Sequence, residues 1–201
     1  MPKIKISPIS VFWITFLIIS KANLLFPTAI AVLIHELGHI CAARLLKIKI
    51  SSFELSILGA RIQTVGEISY GAEFFFALGG PLSGIITFAA LYQISLAEGL
   101  SQNTARLLLN VATVSLALAI FNLLPLPTLD GSRMINCLLG HILPIEKAEI
   151  SSRVVGFFSL FALWLLSVYI ILKTDAGIAM LVFCSIFFAK TFVFDEKKRD
   201  F

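Results

Sequence analysis

The sequence predicts an α-helical membrane protein of about six transmembrane helices, with a small β-sheet or hairpin at the membrane surface. Three observations predict it. Of the 201 residues, 58% are hydrophobic and 14% charged, with a mean hydropathy of +0.96, and no ordinary soluble domain of this size is so apolar. The apolar residues fall in runs close to the length that crosses a bilayer, separated by short polar stretches. Two segments, Lys3-Ile4-Lys5-Ile6 and Lys47-Ile48-Lys49-Ile50, instead alternate polar with apolar residues, the pattern of a strand.

Taken in order, residues 1–7 carry the first strand signal. Pro8–Ser20 is apolar but short for a full crossing. It follows Lys3 and Lys5 as a signal peptide would, yet Ser20-Lys21-Ala22-Asn23 is a poor cleavage site, so it reads as a retained span. Leu24–Leu46 is the second span. Lys47–Glu67 reads as a hairpin turning at Gly59-Ala60 and able to pair with the N-terminal strand; a plain connector is the alternative. Tyr70–Ile94 is a span interrupted by Gly79-Gly80-Pro81-Leu82-Ser83-Gly84, either a packing kink or irregular backbone lining a polar cavity. Ser95–Thr104 is a polar loop and Ala105–Leu124 a further span. Ser132–His141 reads as a short helix, Ile142–Arg153 as a mixed-charge loop, and Val154–Leu172 and Ala176–Phe194 as the last two spans before a charged tail. The whole of residues 1–201 is one expected domain.

Charge placement orients this layout. With the N-terminus inside, all lysines and arginines except Lys21, Arg106, Lys173 and Lys190 fall in inner segments, which favours a multi-pass protein of a cell membrane with both termini cytoplasmic. The net charge of +4 comes with no clustered basic face interleaved with aromatics, which argues against a nucleic-acid partner. Cys41, Cys137 and Cys184 lie in or beside apolar segments without pair spacing, and read as thiols rather than a disulfide framework.

Within the second span stands His35-Glu36-Leu37-Gly38-His39, an H-E-x-x-H pattern. Residues four apart on a helix share a face, so both imidazoles point the same way and can hold a zinc ion, while Glu36 reaches a water the ion acidifies. The bland alternative is a pair of core histidines with Glu36 held by a neighbour. Three ionisable groups in five residues of a membrane span need a compensating partner, since each costs about 2.5–3.5 kcal/mol at the bilayer centre on insertion scales. A cation is such a partner. A catalytic zinc site normally has a third protein ligand. Asp130 and His141 are the downstream candidates, with Cys137 a remote third; Asp130 is favoured as a hard ligand just past a span, between prolines and a glycine, and His141 more plausibly ends the short helix.

With these residues in view, the chain resembles the site-2 protease family of intramembrane zinc metalloproteases. The resemblance rests on His35-Glu36-Leu37-Gly38-His39 together with Asn122-x-x-Pro125-x-Pro127-x-Leu129-Asp130-Gly131, in the family's order and both at span ends. The opening Lys-Ile-Lys-Ile-Ser-Pro, the hairpin region and the compact six-span layout look most like the bacterial sporulation branch, which cleaves the membrane-associated pro-form of a sigma factor.

The resemblance implies that His35, His39 and Asp130 bind Zn2+ and that Glu36 activates water. It also implies that Asn122 holds the substrate backbone or the tetrahedral intermediate, and that the Gly80-Pro81 segment lies by the active site as a substrate contact. The implied partners are a membrane-associated, pro-sigma-factor-like substrate, membrane inhibitor proteins and the lipid bilayer. An open strand edge beside such a site is a place for an extended substrate to pair. Gly84 stands where relatives often have Asn, and Ser132 where a second glycine often follows Asp-Gly. Neither a cystathionine-β-synthase module nor a PDZ domain is expected within residues 1–201, so control by nucleotide or by a peptide-binding domain is not implied. Two other classes stay open: a divalent-metal transporter, and a catalytically inactive homologue that scaffolds membrane proteins.

Overall fold

A computed structural model describes residues 3–6, 25–56, 59–64, 68–126 and 129–174, with the single positions 181, 184, 185 and 188. The expected first span, Pro8–Ser20, lies outside the described residues, as does nearly all of Ala176–Phe194. The chain divides into two compact units, Met1–Leu123 and Leu124–Phe201.

The first unit holds three long helices, α1 (Leu25–Leu45), α2 (Tyr70–Ser95) and α3 (Gln102–Leu123), which pack on one another. At 21 to 26 residues each is about 30–40 Å long, enough for the ~30 Å hydrocarbon core. Apart from Phe76 of α2, their buried residues are mostly small and recur at helical spacing. Along α1 the buried stripe is Pro27, Ala31, His35, His39 and Ala43, one residue every four. On α3 it is Val111, Ala112, Ser115 and Ala119. The large side chains point the other way, with Leu33, Phe75, Ile86 and Ile120 all more than half exposed. That inversion suits helices in lipid, where close backbone approach drives association and apolar residues gain nothing by hiding.

α1 closes on Lys47, which takes a positive φ of 57° while Ile48 N–H donates to Ala43 O at 2.8 Å, a Schellman end with lysine where glycine is usual. The chain then forms β2 (Ile50–Ser56) and β3 (Gly59–Thr64), paired antiparallel, with β1 (Lys3–Ile6) parallel to β2 on its other side. Ser69 caps α2 by accepting from Ala72 N–H. The interruption expected at residues 79–84 is corrected: α2 stays helical through Pro81 to Ser95. Proline removes one ladder donor and frees the Ala77 carbonyl, a loss that packed membrane helices tolerate; Ser83 Oγ separately ties α2 to α1, donating within reach of both Gly80 O and Ile34 O.

The second unit holds α4 (Asp130–Gly140) and α5 (Ile145–Thr174), which pack together. α4 matches the short helix expected over Ser132–His141, with His141 at its C-cap. The mixed-charge loop expected at Ile142–Arg153 is mostly helix, because Pro144 is followed by good helix formers and α5 starts at Ile145. At 30 residues α5 is about 45 Å long, so its charged first turns extend past the ~30 Å hydrocarbon core. Among the described residues four helices, α1, α2, α3 and α5, are long and apolar enough to cross a membrane.

Candidate metal centre

The geometry begins where α1 crosses α2. Gly38 and Gly79 meet there without side chains: a Cβ on Gly79 would stand 2.7 Å from Ala42 Cβ and 2.8 Å from Gly38 O, and one on Gly38 would strike Gly79 O. Only glycine permits that approach. The crossing brings His35 and His39, each 5% exposed, against the α2 backbone.

His39 Nδ1 lies 2.9 Å from Phe76 O. A carbonyl can only accept, so Nδ1 carries the proton and Nε2 is left with its lone pair, the form a metal requires. Its Nε2 stands 3.3 Å from His35 Nε2. Two nitrogens on one tetrahedral ion, each about 2.0–2.1 Å from it, are separated by about 3.3–3.4 Å. Gly80 closes the other side: a Cβ there would fall against His39 Nε2 and 2.7 Å from His35 Nε2.

Asp130 is the first residue of α4 and is 8% exposed. His35 and His39 lie in the first unit, and Asp130, the third candidate ligand, lies in the second. Two imidazoles and a carboxylate, all buried, are a donor set that zinc accepts, and the nitrogen spacing suits it. Glu36 is half-buried on the same helix turn as the histidines.

The other expected site residues fall as follows. Pro81 is fully buried beside Gly80 in α2. Asn122, half-buried near the end of α3, donates its Nδ2 to Leu118 O at 2.9 Å, leaving its carbonyl oxygen as the outward-acting group. Gly84 has no room for a larger residue, since a Cβ would stand 2.9 Å from Ser115 O and 3.0 Å from Ala119 Cβ. Cys137 is buried in α4, and His141 is exposed. Sequence reasoning missed Phe76, whose backbone oxygen fixes the His39 tautomer; a main-chain contact leaves no signal in residue type.

Residues 77–163 match Peptidase family M50. Over these residues the chain is similar to the M50 peptidases. It is similar to a zinc metalloprotease of Methanocaldococcus jannaschii, 30% identical over 131 residues, which are 65% of this chain and 36% of that protein. It is also similar to stage IV sporulation protein FB of Bacillus subtilis, 30% identical over 120 residues, 59% of this chain and 41% of that protein. The chain thus spans well under half the length of these curated relatives. Its fold is that of the solved site-2 protease from M. jannaschii, with a TM-score of 0.66 at 21% identity, covering 92% of this chain and 87% of that one. Zinc is the metal of the M50 relatives, and the donor set fits it.

Proposed function

We propose that this chain is an intramembrane zinc metalloprotease that hydrolyses a peptide bond of a membrane-associated protein. The observation that carries the reading is the buried pair His35 and His39, their Nε2 atoms 3.3 Å apart, with the H-E-x-x-H glutamate between them on a helix apolar enough to span a bilayer. His35, His39 and Asp130 hold the ion. Zinc, when bound, supplies Lewis acidity that polarises a carbonyl and acidifies water.

The remaining work belongs to the chain's own groups. Phe76 O holds His39 in its donor tautomer. Glu36 accepts the proton of the attacking water at its carboxylate and delivers it to the leaving amine. Asn122 and the Gly80-Pro81 step of α2 lie near the substrate. A helical substrate hides its amides, so it unwinds to be cut, and the outer edge of β3 offers its strand a pairing partner. The layout has six crossings with both termini cytoplasmic. A pro-sigma factor is the first substrate to test, in keeping with the sporulation protein among the relatives.

The test is co-expression of a tagged pro-sigma factor and other membrane-tethered regulators with the wild type and Glu36→Gln. The variant should keep its zinc and lose cleavage. Cleavage by purified Glu36→Gln removes the assigned role of Glu36, and zinc flux into liposomes without proteolysis replaces the protease by a transporter.

A further inference from the structure

The face of the α1–α2 pair carries a feature the proteolytic site does not use. A cavity of about 600 Å³ runs along the two helices, walled by Leu37, Cys41 and Leu45 of α1 and by Phe75, Leu82 and Ile86 of α2. Its floor is the glycine crossing itself, Gly38 against Gly79, with Ser83 alongside. Ser83 Oγ already donates within the helix pair, so the floor asks for no hydrogen bond. The natural occupant is hydrocarbon.

Size narrows it further. From Ile34 to Leu46 the groove follows α1 for about 18 Å, close to the ~15 Å of one bilayer leaflet. A helix of that length, about 10 Å across, fills about 1400 Å³, more than twice the space present. One acyl chain fits the length and is slim enough for the volume. Charge sets what stands at its head. Arg44 lies on the Leu37 and Cys41 face of α1, seven and three residues on, where the groove reaches the helix end, and Lys47 and Lys49 follow at once. All three are exposed, and Glu73 is the one acid in the facing first turn of α2. A basic cluster at the edge of a membrane span attracts anionic headgroups.

We propose that this groove holds one acyl chain of an anionic phospholipid whose phosphate sits among Arg44, Lys47 and Lys49. The lipid thereby braces the crossing of α1 and α2. The proposal depends on the helices spanning a bilayer and not on the protease reading, so the two fail separately.

The test uses the full chain in micelles given equimolar phosphatidylglycerol and phosphatidylcholine with identical acyl chains, with bound lipid counted by native mass spectrometry. The wild type should retain one phosphatidylglycerol with at least a roughly tenfold preference, since each basic residue near the surface is worth up to about fivefold and three together up to about a hundredfold. The triple variant Arg44→Gln, Lys47→Gln, Lys49→Gln should lose the preference. Cys41→Trp, which fills the groove and leaves the cations in place, should lose the lipid; Leu82→Trp does the same from the other wall if the first variant does not fold. Equal retention of the two lipids by the wild type overturns the proposal, as does undiminished retention by both groove-filled variants. A dimer that excludes lipid gives the groove to a second copy. Lipid retention seen only after deletion of residues 8–20 gives it to the chain's own apolar run.

Discussion

Gly80→Ala is a change that helix propensity favours and the metal centre forbids. Alanine is better than glycine in a helix interior by about 1 kcal/mol. Against that stands the added methyl, placed against His39 Nε2 and 2.7 Å from His35 Nε2. Forcing one carbon into such a contact costs about 1–3 kcal/mol, so without metal the variant should be between equal to the wild type and about 2 kcal/mol less stable. Metal binding should suffer more. An ion held about 2.0–2.1 Å from both nitrogens lies no more than about 3 Å from that methyl, whichever side it occupies. A loss of affinity of about 100-fold is expected, the upper end of what disturbing a ligand's surroundings does. By linkage this removes about 2.7 kcal/mol of zinc-dependent stabilisation. The assay is thermal unfolding in detergent across a zinc titration, with chelated samples as the baseline and elemental analysis for stoichiometry. If Gly80→Ala binds one zinc with the wild-type increment in Tm, the α2 backbone does not pass where the argument puts it.

Three further outcomes follow from neighbouring contacts. Asp130→Asn should reduce zinc affinity at least about tenfold while the apo protein unfolds near the wild-type temperature, since the buried carboxylate contributes its charge to the ion; competition with a chelating dye reads this. Gly84→Asn should destabilise by about 1–3 kcal/mol because Ser115 O and Ala119 Cβ already fill that space. Ser115→Ala should raise stability by about 1 kcal/mol, because the buried Oγ has no hydrogen-bond partner among the described residues and its hydroxyl is desolvated for no return; unfolding in mixed micelles measures both changes.

The candidate ligands could be named from the sequence because their chemistry is local. The i, i+4 spacing of His35 and His39 states a shared face, and three ionisable groups inside an apolar run state a need for charge compensation. Asp130 was legible by exclusion, as a hard ligand where a helix cannot continue through prolines. The continuous α2 was not. Glycine and proline together read as a break, and what preserves the helix is the tertiary company of Ser83 and the Gly38 crossing, which no window of sequence contains. The charged start of α5 misled for a related reason: charge reads as loop when a span is expected to be apolar throughout, whereas a helix about 45 Å long simply leaves the membrane. Phe76 was invisible because its role is carried by a carbonyl every residue possesses.

The Gly38–Gly79 contact ties fold to chemistry. In water, two helices are held by burying large apolar residues, and a polar residue in the seam is a cost to be offset. In lipid the seam is made of what lets backbones touch, so small residues occupy it and polar side chains such as the histidines and Ser83 find partners there. Ala31, His35, His39 and Ala43 therefore form one stripe without contradiction. The approach that gives α1 and α2 their packing also delivers Phe76 O to His39 and strips the space beside both Nε2 atoms to a bare glycine. Packing and ligand orientation are thus the same contact viewed from two sides. Substitutions at Gly38, Gly79 and Gly80 should for that reason be non-additive in zinc affinity, because any one of them that separates the helices has already withdrawn the carbonyl on which the His39 tautomer depends.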